Sequence, residues 1–276
     1  MWTTVNKGNA IEGAAITVRF GEPLNTMVVK RAIRALEDVR GVQGFTETQP
    51  LQTFNLDISP SSSGIREKLF GGVLMTHTSL ERDSFNQVVK VPQRQLIVQP
   101  EQIVLQISRY REWPIEMEGA IAVLTPLLKI VSSVVTIKAV RLEYLNRFIF
   151  DGGYNEADIT RILKPSPIVA AQAFKAQDLW HSHFGQFDEI KEGTRRLTQV
   201  NADVQRIDPP HPSAGYRSLA LMLAVEKQYD FPGTEVDAEA PEAFLSECFS
   251  GLHDGIHGLF KEVVDSNFAH TNGLPQ

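Results

Sequence analysis

The stretch Val134-Val135-Thr136-Ile137-Lys138-Ala139-Val140-Arg141-Leu142-Glu143-Tyr144-Leu145-Asn146-Arg147-Phe148-Ile149-Phe150 reads as one long β-strand, ended by Gly152-Gly153. Successive strand residues point to opposite faces. Arg141, Glu143, Leu145 and Arg147 therefore share one face, and Leu142, Tyr144 and Asn146 share the other. Directly before it, Trp113-Pro114 opens a helix, because proline at the first turn loses only an N–H that has no partner there. Met117, Ala120, Ile121, Leu124, Leu127, Leu128 and Val131 form the helix's buried stripe, with Pro126 expected to kink or shorten it.

Working towards the N-terminus, residues 15–20 read as a β-branched strand stopped by Gly21 and Pro23. Asn25 or Thr26 then caps an amphipathic helix carrying Val29, Ala32, Ile33, Leu36 and Val39, with Gly41 as its stop. Phe54, Leu56 and Ile58 alternate with polar residues. Further strands are expected at 72–79, 86–91, 95–99 and 102–108, separated at Pro92 and Pro100, which cannot donate to a ladder.

Beyond the long strand, 164–167 and 209–215 are proline-rich breaks. Segment 170–187 fits helical and extended templates about equally and is read as strand. Strands follow at 197–207 and 218–228. The segment 226–242, with six acidic residues against one lysine, reads as a solvated loop. A last helix starts at Pro241 and carries Leu245, Cys248, Phe249, Leu252, Ile256, Leu259, Phe260 and Val263 on one face. The expected fold is α+β: a largely antiparallel curved sheet packed by about three amphipathic helices, with two diverged strand-helix halves as a further reading. One domain over 1–276 is expected, with a sub-division near 164–168.

Composition bounds the function classes. The chain has 276 residues, 42% hydrophobic and 22% charged, which suits a folded core rather than disorder. A net charge of -6 argues against nucleic-acid binding by bulk positive charge. The single cysteine, Cys248, rules out an internal disulfide. Met1 to Asn9 lacks an apolar leader, and the apolar window 120–135 is interrupted and short for a span, so a cytoplasmic protein without membrane insertion is expected.

Several constellations are candidate sites. His253 and His257 lie four residues apart on the last helix, a spacing that lets two imidazoles reach one metal. Asp254 stands where the zinc-hydrolase pattern has glutamate, and no third ligand is identifiable. Their alternative is a core-boundary histidine beside an exposed one. Gly251, Gly255 and Gly258 fall along one stripe of the same helix. Such clustering implies close approach of a strand of the same chain, a second subunit at an interface, or a bound ligand, unless the helix breaks near Gly251. His181 and His183 would share a face in a strand. Arg141, Tyr144 and Asn146 are candidate ligand-binding residues, against a purely structural alternative in which Arg141, Glu143 and Arg147 make a cross-strand charge ladder. His77, His211 and His270 show no partner. No phosphate-binding glycine loop, nucleophile elbow or coherent catalytic set occurs.

Tyr110-Arg111-Glu112-Trp113, Arg141-Leu142-Glu143-Tyr144-Leu145-Asn146-Arg147 and Gly251-Leu252-His253 followed by Phe260, in this order, resemble a sporadically distributed, uncharacterised family of prokaryotic proteins of about this length. At the N-terminus only Glu12 of Asn9-Ala10-Ile11-Glu12 matches that family's proline-containing opening. The resemblance implies a cytoplasmic prokaryotic protein and supplies no activity or cofactor. Its patchy distribution is compatible with a defence or toxin-neutralising cassette. Three functions are compatible with this sequence. They are a non-catalytic binding or regulatory protein acting through a protein partner or self-association, a small-molecule-binding domain, and a metal-dependent hydrolase using His253 and His257.

Overall fold

The computed structural model describes residues 1–6, 8–37, 41, 43–54, 68–83, 85–153, 156–176, 178–206 and 217–274. It is a mixed α+β fold with a ten-stranded, largely antiparallel sheet. Two compact units share the chain: Met1–Ile16, Val140–Gln228 and Glu247–Gln276 make unit 1, and Thr17–Ala139 with Tyr229–Ser246 makes unit 2. The break expected near 164–168 falls inside one segment of unit 1.

Unit 1 holds β1 (Trp2–Thr4), the start of β2 (Ile11–Phe20), most of β7 (Ile137–Phe150), β8 (Trp180–Lys191), β9 (Thr194–Arg206) and β10 (Arg217–Tyr229). Their order is β2-β7-β10-β9-β8, with β1 paired to β7. Alternation along β7 follows the sequence expectation: Leu142, Tyr144, Asn146, Phe148 and Phe150 are buried, while Arg141, Glu143, Leu145 and Arg147 are half-buried. Most of α3 (Pro241–Val263) belongs here, burying Cys248, Phe249, Leu252, Ile256 and Val263, and α4 (Ser266–Thr271) follows. The ambiguous 170–187 segment divides into a 3-10 turn at Ala173–Lys175 and the start of β8.

Unit 2 holds α1 (Thr26–Ala35), β3 (Glu47–Phe54), β4 (Lys68–Arg82), β5 (Val88–Val98), β6 (Gln102–Ile107) and α2 (Trp113–Val131). The strands follow the order β3-β4-β5-β6-β2. Asn25 caps α1 by accepting from the Val28 N–H at 3.0 Å. Leu56, Ile58, the 60–64 turn, Val39 and the 209–215 break lie outside the described residues.

Three expectations are corrected. Of the two effects expected of Pro126, shortening does not occur: α2 runs through it to Val131, with Leu124, Leu127, Leu128 and Val131 buried on both sides. Pro92 does not end a strand. β5 runs through it at a β-bulge where His77 pairs with Arg94, Thr78 pairs with Pro92, and Gln93 has no opposite residue. Finally, 226–242 is not wholly a solvated loop: residues 226–229 extend β10, Glu226 is 2% exposed, and α3 begins at Pro241.

Candidate functional site

The two faces of β7 separate the residues proposed as one ligand set. On the helix-covered face, the Tyr144 hydroxyl lies 3.0 Å from His253 Nδ1, and Asn146 Nδ2 donates to the Leu221 carbonyl at 3.2 Å. On the other face, Arg141 donates to Glu143 at 2.8 Å and to Gln199 at 2.5 Å, with the buried Glu226 carboxylate 3.9 Å away. Arg147 pairs instead with Glu12 at 2.8 Å and reaches the Ser218 hydroxyl. Arg141 is thus not brought together with Tyr144 and Asn146, and the alternative Arg–Glu–Arg ladder is two separate clusters.

His253 and His257 do come together, their rings stacked with centroids 6.2 Å apart. Burial lowers both pKa values below the usual imidazole range. The neighbouring His257 adds to this for His253, and Lys261 adds to it for His257, while Asp254 opposes the shift in each. Two imidazoles supply only part of a zinc site. Among the described residues no group of three His, Cys, Asp or Glu side chains is placed to hold a metal. His181 and His183 share the exposed face of β8, with ring centroids 5.4 Å apart. In the glycine stripe, a β-carbon at Gly255 would lie 3.3 Å from Val225 Cγ2, whereas at Gly251 and Gly258 it would meet nothing described within 4 Å. α3 does not break at Gly251. Among the described residues, close packing along this stripe is therefore confined to Gly255, and its partner is a side chain.

Unit 1 also carries a half-open cavity of about 660 Å³. Trp2 enters from β1, where it pairs with Phe150 and its ring lies 5.2 Å from the Phe150 ring. Its indole N–H donates to the Asp158 carbonyl at 2.9 Å, which fixes the ring plane. The Asp158 carboxylate is occupied by the Thr160 N–H and hydroxyl, capping the 3-10 turn Ile159–Arg161. Phe174 and Lys175 come from the second 3-10 turn, and Trp180 opens β8 opposite Val204. Arg217, the first residue of β10, lines the wall at 4% exposure. Three aromatic rings and a buried guanidinium suit a planar ligand that carries negative charge. Sequence reasoning missed these residues. They come from four separate elements, so no spacing links them.

No family model matches the chain, and no curated protein matches it.

Proposed function

We propose that this is a small-molecule-binding protein whose ligand is a planar aromatic ring bearing a carboxylate or phosphate, held in the cavity of unit 1. The observation that carries the reading is the union of Trp2, Phe174 and Trp180 with the buried Arg217 around one cavity. Its volume of about 660 Å³ lies within the roughly 300–1,000 Å³ of small-ligand pockets. A guanidinium offers five N–H donors, so it can serve a ligand anion while keeping a protein partner.

The test is tryptophan fluorescence titrated with indole-3-acetate, salicylate and AMP, with neutral indole as the control. At least one anion should quench saturably, and Trp180→Phe should reduce the amplitude. Arg217→Gln, checked for folding by circular dichroism, should weaken the anion about tenfold, and the exposed Lys175→Ala should weaken it less. The reading fails if no anion gives a saturable change, or if indole binds as tightly as indole-3-acetate.

A further inference from the structure

Unit 2 carries a second built site. On the helix-covered face of its sheet, β4 and β5 set Val73 opposite Val98 and Met75 opposite Leu96, both core pairs. The next pair in the row is polar: His77 opposite Arg94. There the bulge intervenes. Neighbouring strand residues normally face opposite ways, yet Gln93 and Arg94 both line the same cleft of about 720 Å³. The bulge re-aims Gln93, whose amide donates to the Ser79 hydroxyl at 2.6 Å and to Glu81 at 3.2 Å.

Arginines converge on this cleft from two segments. Arg94 meets Glu116 of α2 at 2.5 Å, and Arg111, from the loop before α2, meets the other oxygen of that fully buried carboxylate at 3.2 Å. Arg109 pairs with Glu81. Among the described residues, three guanidiniums face two carboxylates at this cleft, in a chain of net charge -6. Arg109 and Arg111 remain 56% and 60% exposed at its mouth.

Two glycines make room for the inner wall. A β-carbon at Gly119 of α2 would lie 2.8 Å from the Arg94 guanidinium, and one at Gly44, where φ is +77°, would lie 2.9 Å from the His77 ring. His77 Nδ1 is buried with no hydrogen-bond partner among the described residues. A helix glycine and a left-handed glycine both sit where they admit a polar side chain to the cleft.

We propose that this cleft binds the phosphate ester of a sugar or polyol, with Arg109 and Arg111 on the phosphate and Gln43, Ser79 and Gln93 on the hydroxyls. A phosphate monoester carries about -1.5 to -2 at neutral pH and matches several guanidiniums better than a carboxylate does. The volume exceeds that of phosphate alone. The described wall offers amides, a hydroxyl and an imidazole, without the large apolar rings that a stacked base would use.

Isothermal titration at fixed ionic strength tests this with glucose 6-phosphate, glucose and inorganic phosphate. Glucose 6-phosphate should bind, inorganic phosphate more weakly, and glucose not measurably. Arg109→Ala and Arg111→Ala should each weaken glucose 6-phosphate at least tenfold, with Arg111→Lys intermediate because it keeps charge but loses the fork. Lys90→Ala removes one exposed charge of the same unit outside the cleft and should change nothing. The proposal is overturned if glucose 6-phosphate does not bind, if both arginine variants bind it normally, or if Lys90→Ala weakens it equally. Inorganic phosphate binding as tightly as the ester would overturn the assignment of the polar wall to a polyol.

Discussion

Replacing the three glycines of α3 by alanine should give opposite results at positions only four and three residues apart. Gly251 and Gly258 are exposed, and a β-carbon at either meets no described atom within 4 Å. Neither has a left-handed backbone. Alanine should therefore stabilise each by about 0.8–1 kcal/mol through helix propensity alone. The two lie about 10 Å apart along the helix and share no partner, so the double variant should gain about 1.6–2 kcal/mol. At Gly255 the new methyl would sit 3.3 and 3.4 Å from the two methyls of Val225, which is 2% exposed on β10. Valine is stiff about χ1, and overpacking costs typically 1–3 kcal/mol. Set against the propensity gain, Gly255→Ala should range from neutral to about 2 kcal/mol destabilising. Urea denaturation followed by far-ultraviolet circular dichroism measures all four variants. A loss at Gly251→Ala or Gly258→Ala would refute the reasoning and show that another chain rests on that stripe in solution. A full gain at Gly255→Ala would show that Val225 does not press on the helix.

Three further outcomes follow from the buried polar groups. Burial and neighbouring positive charge lower the pKa of His253 and His257 in the folded state, so the unfolded chain binds their protons more readily. Stability should be full above about pH 6.5 and fall as pH drops below it; the slope between about pH 7.5 and 5.5 should flatten in His253→Gln/His257→Gln, and an unchanged slope would contradict the assignment. Glu116→Ala strands the largely buried Arg94 and should cost about 3 kcal/mol or more in urea denaturation, whereas Glu47→Ala, which breaks the exposed pair with Lys90, should cost under about 1 kcal/mol. Asn146→Ala leaves the buried Leu221 carbonyl without that donor and should cost about 1–3 kcal/mol by the same measurement.

Periodicity made the long elements legible. The alternation of β7 and the apolar stripes of α1, α2 and α3 are local patterns, and each was placed from residues adjacent in sequence. Proline alone does not fix where an element ends. Whether Pro92 ends a strand depends on the partner strand absorbing a bulge, and whether Pro126 ends a helix depends on what its neighbours bury. Glu226 looked solvated because its segment is acidic, but its position on β10 buries it beside Arg141 and Gln228. The faces of β7 were readable, so the separation of Arg141 from Tyr144 and Asn146 was already implied by their spacing. The cavity and the cleft were not readable. Trp2, Trp180 and Arg217, like His77, Arg94 and Glu116, meet only through the pairing of distant strands and helices.

Binding of an aromatic anion by unit 1, between Trp2, Phe174 and Trp180, has a direct spectroscopic test. The chain has three tryptophans, and the third, Trp113, starts α2 in unit 2. Each indole N–H gives one signal in a proton–nitrogen correlation spectrum of labelled protein. Titration with the tightest-binding anion of the fluorescence series should shift the Trp2 and Trp180 signals together and leave Trp113 in place. A ligand that shifts Trp113 alone, or none of the three, contradicts the account.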